Sequence, residues 1–180
     1  MTRTEPQASD DVPPTRAVAP ADAGAVITTP QDFREAVRWA VEAALAHRSR
    51  LLRLSDPDFT DWPLNQAAVL DALTAFVRLP GRRVRFVAAD YRRLALAMPR
   101  VTAWRRTWGH ALETLAPVQD GPPPPTAVLA DRTHGVWIAQ RDPLRGWRVQ
   151  EAQRLSLLAE QLDAYAQRCE PAWPATTLGL

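Results

Sequence analysis

The stretch Ala127-Val128-Leu129-Ala130-Asp131-Arg132-Thr133-His134-Gly135-Val136-Trp137-Ile138-Ala139-Gln140 decides how this chain is read. Two five-residue runs, rich in Val, Leu, Ile and Trp, flank a polar segment that holds a glycine. That pattern predicts a β-hairpin with strands at 127–131 and 136–140. The turn at 132–135 places Gly135 where the backbone is expected to need it. Four prolines at 122–125, preceded by Gly121, form a stiff connector into the first strand.

Outward from the hairpin, strand and helix patterns alternate. Thr29-Pro30 with Asp32 predicts a helix start: a side-chain cap, a proline at the first position and an acid in the first turn. Phe33, Val37, Ala40, Val41, Ala44 and Leu45 then trace one apolar stripe, to about residue 48. A strand is expected at 50–55, a turn at Asp56-Pro57-Asp58, and a second helix at 64–79 with Val69, Leu70, Leu73, Phe76 and Val77 inward. Val84, Phe86 and Ala88 alternate in a strand at 84–89. Asp90 is expected to cap a short helix broken at Pro99, and Val101, Trp104 and Trp108 share a face of the next. A third strand is expected within 110–118. Beyond the hairpin, the last helix is placed at 149–168, with Leu155, Leu158, Leu162 and Tyr165 on its core side and Cys169 in its last turn. These elements describe an α/β domain, a mixed sheet flanked by helices. It spans 27–170, between a disordered N-terminal arm at 1–26 and a C-terminal tail at 171–180.

The chain has 22 arginines and no lysine. No Schiff-base lysine, P-loop lysine or lysine general base is available. Arginine stays protonated and holds planar anions through its fork of donors, so the composition favours binding over proton transfer. The single cysteine, Cys169, excludes an intrachain disulfide and suits a reducing cytoplasm. The N-terminus lacks the apolar core of a signal peptide, and no apolar run reaches membrane-spanning length. The expected location is the cytoplasm, with no membrane span. No cofactor is expected, because no Gly-x-Ser-x-Gly elbow, His-Glu-x-x-His or dinucleotide glycine pattern occurs.

The order of elements resembles one half of the phospholipase D-like fold. Active members of that family carry His-x-Lys-x4-Asp on the first strand of a late hairpin and Gly-Ser-x-Asn on the next. With Asp131 set on the motif's aspartate, its histidine falls on Pro124 and its lysine on Thr126. The Gly-Ser-x-Asn positions read Ile138, Ala139, Gln140 and Arg141. The resemblance therefore implies a degenerate half, a pseudoenzyme without catalytic residues. Leu129-Ala130-Asp131-Arg132 also looks like a hairpin motif of a bacterial domain of uncharacterised function that often follows an acetyltransferase domain. Active relatives join two halves, which implies a homodimer here, and the second resemblance implies an acetyltransferase or other protein partner.

Charge asymmetry is the strongest functional signal. Residues 78–106 hold nine arginines and one acid, Asp90, for a net +8, while the remainder of the chain carries −6. Tyr91, Trp104 and Trp108 are interleaved. Arginine with aromatics is suited to phosphates and bases, which makes Arg82, Arg83, Arg92, Arg93, Arg105, Arg106, Trp104 and Trp108 the candidate anion-binding residues. The competing reading is a solvated helix face with the tryptophans buried.

Asp56, Asp58 and Asp61 offer oxygens to a hard cation, but Asp-Pro-Asp is also ordinary turn chemistry, and no metal site is expected. His47, His110 and His134 are scattered without metal spacing, although His134 stands near Asp131 at the hairpin turn, where it is expected to face solvent. Trp137 and Trp147 flank a loop read at 141–146. The expected function is a non-catalytic binding or interaction module. Nucleic-acid or phosphate-ligand binding through 78–106 is the first alternative. A residual phosphodiesterase with a relocated nucleophile, His110 or His134, is the second.

Overall fold

The computed structural model describes residues 25–118 and 121–174. Most of the expected arm, 1–24, and the end of the tail, 175–180, lie outside the described residues. In chain order the elements are β1 (Val26–Ile27), α1 (Pro30–Ala46), β2 (Leu51–Ser55), α2 (Ala67–Val77), β3 (Arg83–Val87), α3 (Arg92–Ala97), α4 (Pro99–Trp108), β4 (Leu112–Pro117), β5 (Thr126–Ala130), β6 (His134–Arg141), β7 (Leu144–Val149), α5 (Ala152–Ala166) and β8 (Cys169–Pro171). All eight strands join one mixed sheet in the order β1-β7-β6-β5-β2-β3-β4-β8. Strands β2, β3 and β4 are mutually parallel, and every other pairing is antiparallel.

The start of α1 forms as the sequence dictates. Thr29 Oγ1 accepts the Asp32 N–H at 3.1 Å, and the Asp32 carboxylate accepts the Thr29 N–H at 2.9 Å. This reciprocal cap satisfies two donors that a helix end leaves free. The stripe behind it packs on one face of the sheet together with α2 and α4. Phe33, Val37, Val41, Leu73, Phe76, Val101 and Trp104 meet Leu52, Leu54, Val84, Phe86, Val128, Ala130, Val136 and Ile138 there. The opposite face is covered by α5, whose Leu155, Leu158, Ala159 and Leu162 meet Ala127 and Leu129. Strand β5 is thus buried on both faces, which explains its continuous apolar run.

Several expectations are corrected. The segment read as a loop at 141–146 is the β6–β7 hairpin, with Arg141 ending β6, Asp142 and Pro143 turning, and Leu144 to Gly146 opening β7, and α5 begins three residues later than expected. Gly146 is required by that pairing: a Cβ there would lie 2.5 Å from the Trp137 carbonyl oxygen and 2.3 Å from Ile138 Cδ1. Gly135 is not the turn glycine. It sits inside β6, where a Cβ would lie 3.2 Å from both Leu155 Cδ2 and Leu158 Cδ2, so it admits the close approach of α5. Asp131 takes the left-handed backbone at the hairpin instead, with φ 46°. Val26, the last residue of the expected arm, pairs with Trp147.

Cys169 belongs to strand β8, not to the last helix. The segment at 171–174, read as tail, is docked. Pro171 pairs with Leu115, and the Ala172 N–H donates to the Thr114 carbonyl at 2.8 Å. Trp173 stacks on Tyr91 with ring centroids 5.1 Å apart.

Candidate functional site

The two ends of the sheet differ in how their charges are met. At the carboxyl end, β2 and β3 finish and antiparallel β5 begins. At the amino end, β2 and β3 start, β5 finishes, and β6 leaves from His134.

The carboxyl end is closed by Asp56, Thr126 and Arg141. Asp56 follows β2 and is fully buried. Its Oδ1 accepts the N–H of Asp58 at 3.0 Å and of Phe59 at 2.7 Å, the ordinary turn chemistry of Asp-Pro-Asp. Its Oδ2 accepts the Thr126 hydroxyl at 2.9 Å and pairs with Arg141 Nη2. Arg141 Nε also reaches Thr126 Oγ1 at 3.2 Å. Phe59 is held in left-handed backbone, φ 59°, which disfavours a bulky side chain. Its burial against Trp62 and Phe86, with centroids at 4.9 and 5.6 Å, compensates. A pocket of about 110 Å³ beside Thr126 and Arg141 is lined also by Phe33, Thr60, Asp61 and Ile138.

Around this closed centre the arginines have acids. Arg93 pairs with Asp58 at 3.2 Å and Arg92 with Asp90 at 3.0 Å. Burial pushes the Asp58 carboxyl pKa up, but the hydrogen bonds from Thr60 and the charges of Arg141 and Arg93 outweigh it, holding the pKa below the ordinary value. Asp90 is also held low, first by the backbone N–H of Arg92. That N–H bond is 2.8 Å long, but the N-cap of the short helix is Tyr91, not the expected Asp90, which stands one residue before it. On the α5 face, Arg53 grips Asp163 with two bonds of 2.9 and 2.8 Å, and Arg85 bridges Asp163 and Glu113.

The amino end differs. Arg78 ends α2, Arg82 and Arg83 open β3, and Trp108 and His110 follow from the end of α4. Together they line an open cleft of about 430 Å³ that no acidic side chain lines. None of Arg78, Arg82 and Arg83 has a carboxylate within 4.0 Å among the described residues. Arg82 Nη1 donates to the carbonyls of Arg48 and Ser49, and its Nε is buried without a partner. The Arg78 guanidinium lies 5.9 Å from the Trp108 ring centroid.

The eight candidate anion-binding residues therefore do not share one surface. Arg82 and Arg83 stand at the opposite end of β3 from Arg92 and Arg93, roughly 16 Å along a five-residue strand. Trp104 is buried, its indole N–H donating to Thr74 Oγ1 at 2.9 Å. Arg105 is buried too, over the Trp173 ring at 4.3 Å and bonded to the Trp173 carbonyl. Burial pushes its pKa down. Arg106 is exposed on α4, and Trp108 is half-buried.

His134 is buried rather than solvent-facing. It stacks on His47 at 4.5 Å and meets Trp39 edge-on at 5.0 Å. Gln150 Nε2 lies 3.1 Å from His134 Nε2, and His134 Nδ1 is buried without a partner. Burial and then His47 push the His134 pKa down. Asp131 does not serve His134. Its carboxylate accepts the backbone N–H groups of Arg50 at 2.6 Å and Leu51 at 3.0 Å, which clasps the start of β2 to the end of β5. The residues that sequence reasoning did not join are Asp56 and Arg141. They lie 85 positions apart, and no local signal links them.

No protein-family model matches the chain, and no curated protein matches it. Solved structures do. TrmBL2, an archaeal chromatin protein described as showing a novel mode of DNA binding, matches with a TM-score of 0.59 at 11% identity over 88% of this chain. The chain spans 57% of the length of that protein. NucT from Helicobacter pylori matches with a TM-score of 0.54 at 6% identity, over 82% of this chain and 98% of its own. Nuc from Salmonella typhimurium, a phospholipase D family member, matches with a TM-score of 0.47 at 11% identity, over 76% of this chain and 91% of its own. The class defined is an α/β fold with a mixed eight-stranded sheet among the described residues, similar in fold to TrmBL2 and NucT at low identity. Among the described residues, no helix is long and apolar enough to cross a membrane.

Proposed function

We propose that this chain is a non-catalytic binding module on a degenerate phospholipase D-like fold. The supporting observation is the closed centre. At the positions that the resemblance gives to the catalytic histidine and lysine stand Pro124 and Thr126. Thr126 is bonded to the buried Asp56, and Arg141, at the motif's asparagine position, completes the same carboxylate. Proline offers no nucleophile, and an arginine bound to a buried carboxylate is not free to hold a transferring phosphate. The test is hydrolysis of bis(p-nitrophenyl) phosphate by the purified protein. No turnover above a buffer blank is expected. Turnover that survives repurification and disappears in His134→Ala or His110→Ala would overturn the reading. The homodimer and the acetyltransferase partner belong to the same proposal, and light scattering of the protein alone and mixed with a candidate partner reads both.

A second reading, nucleic-acid or phosphate-ligand binding, is favoured by the arginines without acids at the amino end. A DNA-binding chromatin protein of similar fold adds to it. Its test is the salt dependence of affinity for single-stranded DNA or RNA. Each neutralised phosphate contributes about 0.7 to the slope of log affinity against log salt. A slope near zero, or no binding at low salt, would remove this reading.

A further inference from the structure

We propose that the cleft at the amino end of the sheet is a nucleotide site: Arg78, Arg82 and Arg83 take the phosphate, and Trp108 with His110 takes the base. The inference rests on the second reading above and gives it a place and a ligand class.

The cleft has the size of a small-molecule site, about 430 Å³. Its charge is uncompensated. The ends of α2 and α4 present carbonyls there, each equivalent to about half a negative charge, against three full guanidinium charges. Capping of helix ends therefore absorbs only part of the positive charge. The Arg83 and Arg78 side chains are exposed and make no hydrogen bond among the described residues, so their guanidinium donors are free for an anion. Arg82 is anchored by the carbonyls of Arg48 and Ser49 while its Nε lacks an acceptor. That anchoring fixes a cation at the cleft, while the Nε is buried, so Arg82 acts there by its held charge and not through that donor.

The ring half of the site stands beside the charges. Trp108 is half-buried, so its ring is held, and Arg78 lies against it. His110 is 5.8 Å away, centroid to centroid. An aromatic next to arginines matches a base next to its phosphate. Gly81, with φ +73°, supplies the left-handed backbone of the turn at the cleft rim.

The test uses the whole chain and a ligand series: adenosine 5′-monophosphate, inorganic phosphate, adenosine, and a single-stranded DNA oligomer with and without a 5′-phosphate. Calorimetry or fluorescence anisotropy at low salt reads affinity for the wild type, Arg78→Ala/Arg83→Ala and Arg92→Ala/Arg93→Ala. The nucleotide is expected to bind at least about tenfold more tightly than phosphate, from base stacking. The Arg78/Arg83 variant is expected to lose about tenfold or more for nucleotide and oligomer, and the Arg92/Arg93 variant little. A preference for the 5′-phosphorylated oligomer over the unphosphorylated one would assign the site to strand ends. Equal binding of the oligomers, with tight binding of the free nucleotide, would assign it to free nucleotides.

If phosphate and nucleotide bind equally, the base half of the proposal is wrong. If the oligomer binds and only Arg92→Ala/Arg93→Ala weakens it, the cleft is wrong while nucleic-acid binding stands. If no ligand binds, both fall. Retention of the wild-type melting temperature confirms that each variant is folded.

Discussion

The two ends of the sheet carry the same residue type to opposite effect. At the carboxyl end, Arg92, Arg93 and Arg141 each meet a carboxylate: Asp90, Asp58 and Asp56. At the amino end, Arg78, Arg82 and Arg83 meet none among the described residues and line an open cleft. Ligands of open α/β sheets ordinarily bind beyond the carboxyl ends of the parallel strands. Here that end is filled by the protein's own ion pairs, and the free charge has been left at the other. The +8 of residues 78–106 is thus spread over more than one surface, and of these arginines Arg78, Arg82 and Arg83 are the ones that line the open cleft.

Substitutions can break or sharpen this contrast. The largest effect is expected for Asp56→Ala, which leaves Arg141, Thr126 and two turn N–H groups without their acceptor. It should cost about 3–5 kcal/mol, read by denaturant melts. A change under about 1 kcal/mol would mean that the closed end is not structural. Leu158→Ala calibrates the scale from the α5 layer, beneath neither end. It should cost about 2–5 kcal/mol, since Leu158 is buried against the sheet. Gly135→Ala, which pushes a methyl against Leu155 and Leu158, should cost about 1–3 kcal/mol. A neutral result there would show that α5 shifts freely on the hairpin.

The amino end should also be the more pH-sensitive. The His134 pKa is depressed in the fold, so the unfolded chain binds its proton more readily. Its stabilising contribution is full above the unfolded value of about 6.5 and is lost as pH falls through the lower folded value. Wild type should therefore lose more stability than His134→Gln between pH 7.5 and pH 5. Equal losses would show that His134 does not carry the titration in this range. The smallest effect is expected for Arg78→Ala/Arg83→Ala, within about 0.5 kcal/mol per exposed position, because neither side chain supports the fold.

The sequence revealed what local patterns encode. The Thr29 cap, the apolar stripes of α1, α2 and α5, the alternation of β3 and the hairpin all follow from spacing over a few residues. Strands β1 and β8 were not legible, because two or three residues become a strand only when a neighbouring edge pairs them. Strand β7 was hidden by Gly146, whose role is set by the close approach of the β6 backbone. The candidate site failed for a related reason. Nine arginines adjacent in sequence were separated by β3, whose two ends face different loops. Their neutralisation depended on acids that the fold brings from far along the chain, Asp163 to Arg85 from 78 positions away. Arg105 left the candidate surface because the docked Trp173 covers it, and Trp104 because it packs into the core beside Thr74 of α2.

The most direct test of this two-ended account is an NMR titration of the arginine Nε–Hε resonances with adenosine 5′-monophosphate. The account predicts shifts confined to Arg78, Arg82 and Arg83, with Trp108 the affected indole and the resonances of Arg92, Arg93 and Arg141 unmoved. Shifts centred instead on Arg92, Arg93 and Arg141 would contradict it, since they would show that the carboxyl end opens to ligand and that its ion pairs do not close it.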